Sequence, residues 1–175
     1  HYCVIMSVVK ALALGALAAT NSWVSVEAGC PAGFHTSTAQ TSLTHGGGVV
    51  QPGYAEALAE IDWAAVRADL TTAMVTEVDF WPMDYGTYGP FMIRLSWHCA
   101  GSYRVFDGRG GCDGGRIRFD GERSWEDNTN LNHARRILQP IKLKYGLGLS
   151  WGDLIILAGN IAIESMGGPV VGFCA

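Results

Sequence analysis

Apolar residues recur at spacings of three and four in several stretches of this chain, and each such stretch predicts a helix. Over residues 54–78 the repeating positions are Ala55, Leu58, Ala59, Ile61, Trp63, Val66, Leu70, Met74 and Val75. The pattern breaks around Asp62, which predicts one or two amphipathic helices with Asp62 placed to cap the second. Residues 89–101 form another apolar run, with Pro90 in the first turn, where its missing N–H costs least. Leu131, Ala134, Ile137, Leu138, Ile141 and Leu143 outline a helix expected to break at Pro140 or shortly past it. Ser150 can cap a final helix over 151–166, with Asp153 at the capping-box position. That helix is apolar almost all round and should be buried, ending at Gly167 or Gly168 before Pro169. Glu164 within it is either wet near the helix end or paired inside. No strand-like alternation persists and no repeat is visible, so the fold class is all-α.

Between these elements the pattern is polar or aromatic. Residues 29–52 are rich in Ser, Thr, Gly and Pro and read as a flexible linker. Residues 79–88 hold Phe80, Trp81, Tyr85 and Tyr88, a composition that favours a core plug over a cavity wall. Residues 103–115 are dense in glycine and arginine, yet lack the G-K-[ST] ending of a phosphate loop and the ligand spacing of an EF-hand. Two readings stay open for that loop: close approach to another backbone or a flat cofactor, or a flexible surface excursion. The run S-W-E-D-N can deliver Asp127 and Asn128 into a site.

Composition narrows this picture in a few ways. A chain of 175 residues, 49% hydrophobic and 16% charged, suits about one globular domain. A net charge of -4 gives no general reason to expect nucleic-acid binding, and the basic residues Arg135, Arg136, Lys142 and Lys144 read as a solvated helix face. The five cysteines include no C-x-x-C pair, and their odd number argues against a closed disulfide framework. No His/Cys cluster has zinc-ligand spacing, and Cys99 reads as a small buried apolar residue. The chain opens at His1, with Met6 the first possible initiator; Lys10, the apolar run 11–19 and the small residues up to Ala28 follow. That order predicts a leader over 1–28 for secretion or organelle entry, with an ordinary N-terminal helix in a cytoplasmic protein as the alternative. Its apolar run is too short for stable membrane insertion.

The chemistry gathers in residues 89–101. Arg94, Trp97 and His98 stand at i, i+3 and i+4, on one face of the predicted helix. A near-neutral imidazole can take a proton from a weak acid and hand it on. A guanidinium beside it disfavours imidazolium and can stabilise a developing anion. Proton abstraction with anion stabilisation is what heterolysis of a peroxide O–O bond requires, while the redox step needs a metal or other cofactor.

The run P-F-M-I-R-L-S-W-H-C-A-G resembles the distal-helix signature of the haem peroxidase superfamily. More narrowly, the chain resembles the catalase-peroxidases. F-W-P-M-D-Y-G-T-Y-G-P, G-S-Y-R-V-F-D-G-R-G-G, S-W-E-D-N, A-R-R-I-L-Q-P-I-K-L-K-Y-G and L-S-W-G-D-L-I-I-L-A-G-N-I-A-I-E-S-M-G follow in family order. The resemblance implies that residues 53–175 form the distal half of a haem peroxidase domain, a partial haem-peroxidase fold. It implies haem b as cofactor, hydrogen peroxide and small one-electron donors as substrates, and a homodimeric full-length protein. His98 matches the distal base, Arg94 the distal arginine, and Trp97 the distal tryptophan that joins a covalent Met-Tyr-Trp adduct. Asn128 matches the residue that holds the base, and Asp127 an acidic residue at the substrate channel. Neither His133 nor His45 matches the proximal motif, so the proximal histidine is expected beyond Ala175 and no metal ligand within this chain. Without that ligand the piece alone is expected to be inactive. An ascorbate or cytochrome c-type peroxidase, or a non-catalytic helical relic acting as a binding protein, remains the alternative.

Overall fold

The pairing of two helices decides the architecture, and glycines set how closely they meet. In the computed structural model, which describes residues 51–173, the helices are α1 (Tyr54–Ala59), α2 (Trp63–Val75), α3 (Gly89–Ala100), α4 (Leu131–Tyr145) and α5 (Trp151–Ser165). The predicted leader over 1–28, nearly all of the linker, His45, Cys3, Cys30 and Cys174 lie outside the described residues. Helices α3 and α5 form the closest-packed pair. A Cβ built on Gly159 of α5 would sit 2.2 Å from the Ser96 hydroxyl, and one on Gly89 of α3 would sit 2.8 Å from the Met166 sulfur. From Gly89 to Ser96 the chain advances as far along α3 as it retreats from Met166 to Gly159 along α5, so the two helices run antiparallel.

Around this pair the core is built from Val66, Leu70 and Met74 of α2, Leu131, Ala134 and Leu138 of α4, and most of α5. The caps fall where the sequence puts them. The Asp62 carboxylate accepts from the Ala65 N–H at 3.1 Å, and the Ser150 hydroxyl oxygen accepts from the Asp153 N–H at 3.0 Å. The Asp153 carboxylate in turn accepts from the Ser150 hydroxyl at 2.5 Å and from the Tyr54 hydroxyl at 3.1 Å, which ties α1 to the first turn of α5. Glu164 is paired inside, its carboxylate 2.5 Å from the Arg67 guanidinium.

Two expectations need correcting. Helix α4 does not break at Pro140 but runs through it to Tyr145. Pro140 lies on the exposed side, so the carbonyl deprived of its intrahelical donor can turn to water, and Leu143 shares that wet side at 71% exposure. The odd cysteine count also misled: Cys99, the last buried residue of α3, forms a disulfide with Cys112. Both sulfurs are buried, so Cys99 is indeed buried but is not a free thiol.

That disulfide resolves the glycine-rich loop in favour of close backbone approach. Gly110 has φ +82, and a Cβ there would lie 2.0 Å from the Ser102 carbonyl oxygen, which only glycine tolerates. Gly115, next to the disulfide, would put a Cβ 2.8 Å from the Trp151 Cβ. The loop is thus pressed onto the first turn of α5 at one end, while Val105 and Phe106 at its tip stand in solvent.

The aromatic stretch before α3 packs as a plug. The Tyr88 hydroxyl, on a side chain 1% exposed, donates to the Trp81 carbonyl at 2.7 Å and accepts from the Val78 N–H at 3.0 Å. Trp81 stacks on Phe91 of α3 and on His133 of α4 at centroid distances of 5.2 and 4.6 Å. Among the described residues there are two isolated bridges and no strand, and no helix is long and apolar enough to cross a membrane.

Candidate active site

Helix α3 divides its residues by face. Phe91, Met92, Leu95 and Cys99 turn into the core, and Arg94, Trp97 and His98 turn away from it. The i, i+3, i+4 spacing predicted this separation. Trp97 is a large apolar side chain, yet it is 68% exposed.

The second component is the loop from Glu122 to Asn130, wound as two short 3-10 turns, Glu122–Ser124 and Glu126–Asn128. It brings Asn128, 5% exposed, against α3. The Asn128 Oδ1 lies 2.8 Å from His98 Nδ1, and the Asn128 Nδ2 donates to the Glu122 carbonyl at 2.7 Å. Together these contacts fix which ring nitrogen of His98 donates to Asn128. The Glu122 carbonyl can only accept, so the amide must present its NH2 there and its oxygen to His98. An amide oxygen can only accept, so Nδ1 is the ring nitrogen that donates, and in the neutral imidazole the lone pair is on Nε2. The tautomer follows from this network, and it leaves the base pointing away from its holder.

Arg94 serves the same loop. Its Nη2 donates to the Asp127 carbonyl at 2.7 Å and its Nη1 to the Thr129 carbonyl at 3.0 Å. A guanidinium has five N–H groups, so two bonds leave three for another acceptor. Asp127 therefore meets the site through its backbone, while its side chain lies on the exposed side of the loop. His133 is apart from this cluster, stacked on Trp81, with its Nδ1 buried and without a partner.

Of the sequence-designated residues, the fold thus joins His98 to Asn128 side chain to side chain and Arg94 to the Asp127 main chain, with Trp97 beside them. Two contributors went unnoticed in the sequence, the carbonyls of Glu122 and Thr129. Main-chain acceptors have no residue-type signature, so nothing in the pattern marked them. The arrangement offers an oriented imidazole, a cation able to stabilise an anion, and an open flat indole on one face.

Comparison with known proteins gives a consistent account. A family model described as Peroxidase matches residues 66–175. The chain is 57% identical over 120 residues to a protein named catalase-peroxidase from Yersinia pseudotuberculosis serotype O:3 (strain YPIII), which covers 69% of this chain and 16% of that relative. It is 56% identical over 120 residues to proteins of the same name from Yersinia pestis (strain Pestoides F) and Yersinia pestis bv. Antiqua (strain Angola), with the same coverage. The chain therefore spans well under a fifth of the length of the curated relatives it matches.

Proposed function

Because this chain belongs to the peroxidase family, we propose that residues 53–175 supply the peroxide-handling face of a haem-dependent catalase-peroxidase. One observation carries the reading: the Glu122–Asn128–His98 chain of hydrogen bonds engages His98 Nδ1 and leaves Nε2 as the ring nitrogen directed away from Asn128. The residues present suit one side of a haem. Trp97 offers an exposed flat apolar surface, and His98 and Arg94 share its face of the helix. A bound haem would supply the electrons that reduce the peroxide as its O–O bond breaks.

The chain's own residues do the rest. Hydrogen peroxide meets His98 Nε2, which takes one proton and later returns it to the departing oxygen. The Arg94 guanidinium, held on the Asp127 and Thr129 carbonyls, keeps N–H groups for the charge that develops as the O–O bond breaks. Asn128 keeps the imidazole in the tautomer able to accept the proton. The shared catalase-peroxidase name of the relatives favours dismutation of peroxide plus oxidation of small one-electron donors over an ascorbate-type activity. The leader-like segment before Gly29 and the Cys99–Cys112 disulfide together support export to an oxidising compartment.

The test uses the complete, haem-loaded protein. His98→Leu is expected to slow the reaction with hydrogen peroxide by about 10²–10⁴-fold while the haem absorbance band stays in place. An unchanged rate with haem bound rejects the assignment of His98 as the base.

A further inference from the structure

Nine arginines lie in the described residues, and their partners divide them into groups. Arg67, Arg104, Arg109, Arg116 and Arg123 each have a carboxylate within 4.0 Å. Arg94 holds the two carbonyls of the site loop. Arg118, Arg135 and Arg136 have no carboxylate partner among the described residues, and all three line one groove of roughly 370 Å³ between the 3-10 turn Asp113–Arg118, helix α4 and the start of α5. Phe119, Asn132 and Trp151 complete most of its wall, and among the described residues no acidic one lines it.

The cations there are positioned but not neutralised. Arg118 lies 4.2 Å from the Phe119 ring centroid and Arg136 3.9 Å from that of Phe80, contacts that hold each guanidinium plane. Arg135 Nη1 donates to the Ile117 carbonyl at 3.2 Å. The Nε atoms of Arg118 and Arg135 are buried without any hydrogen-bond partner, and a buried charged donor left unpaired is costly. The charges also act on one another. Burial first, then the charges of Arg123 and Arg118, lower the Arg135 pKa, and burial with Arg118 lowers that of Lys142.

We propose that this groove binds a small oxyanion, a phosphate or carboxylate group on a compact ligand. Guanidinium forks match the paired oxygens of either group and bind them bidentately. Three of them around a cavity of this size, walled by Trp151 and Phe119, suit an anion carried on a flat ring. The site is built from the 113–119 segment, α4 and Trp151, and none of its residues belongs to the Arg94, Trp97 and His98 cluster.

The full chain is titrated calorimetrically with inorganic phosphate and, separately, with benzoate, against sodium chloride at matched ionic strength. Saturable binding of phosphate, of benzoate or of both, beyond the chloride response, is expected and identifies the oxygen group preferred. Arg136→Gln, an exposed change that leaves the core intact, should weaken that binding about tenfold or more. Arg104→Gln removes the same charge outside the groove and should leave the Kd unchanged. Failure of both probes to saturate overturns the proposal. So does equal weakening by Arg136→Gln and Arg104→Gln, because that pattern reports net charge only.

Discussion

The two faces of α3 are held by different forces. Toward the core, Phe91, Met92, Leu95 and Cys99 are 8% exposed or less, and the small residues Gly89 and Ser96 let α3 approach α5 closely. On the other side, His98 and Arg94 are fixed by directed hydrogen bonds to a single loop, and Trp97 is open. Apolar packing is strong but does not aim individual atoms, and carbonyl and amide groups aim atoms while adding little net stability. The helix is thus placed by its buried face, and its chemistry is pointed by the Glu122–Asn130 loop.

Four substitutions can break or sharpen that contrast. Leu95→Ala should cost about 2–5 kcal/mol in denaturant unfolding, since a fully buried residue leaves a cavity at the centre of the helix pair. A loss near zero would mean that the core face does not place α3. Gly159→Val should cost about 1–3 kcal/mol, because its Cβ meets the Ser96 hydroxyl at 2.2 Å, and adding Ser96→Gly should recover part of the loss. Asn128→Leu should cost about 1–2 kcal/mol by stripping partners from His98 and the Glu122 carbonyl. Its sharper readout is nitrogen NMR of His98, which should show mixed tautomers in place of Nδ1–H alone.

The smallest effect concerns a polar bond on the packed side. Burial, then the Asp153 carboxylate, raise the Tyr54 pKa to about 12 from an ordinary value of 10.0. The folded protein therefore keeps this proton longer than the unfolded chain does. The contribution is full below pH 10 and is lost as the pH rises toward 12. With the hydroxyl half exposed, solvent screening holds it below about 1 kcal/mol. Tyr54→Phe should flatten the alkaline unfolding profile across that window, and an unaltered profile would remove Asp153 from the account.

The sequence made the faces of α3 legible because a helical period places residues three and four apart together whatever surrounds them. The caps at Asp62 and Ser150 were legible for the same local reason. Resemblance to a family picked out Asn128, whose Oδ1 lies 2.8 Å from His98 Nδ1. What escaped depends on tertiary approach. The Cys99–Cys112 bond forms because the loop doubles back onto the end of α3, which residue counting does not reveal. Pro140 was misjudged because the penalty for a missing N–H depends on which side of the helix faces water. The basic residues of α4 looked like one solvated face, yet they divide: Lys144 pairs with Asp69 at 2.6 Å, and Arg135 and Arg136 line the groove.

The disulfide between Cys99 and Cys112 makes the segment between them a covalently closed ring. Its tip, with Phe106 in open solvent, carries Arg104 and Arg109 as exposed points for tryptic attack. A single cut there would open the ring without separating the two pieces, so the nicked chain would migrate as one species until a reductant is added. Protein engineers can therefore lengthen, cut or label this tip while the end of α3, and His98 with it, stays anchored to the core.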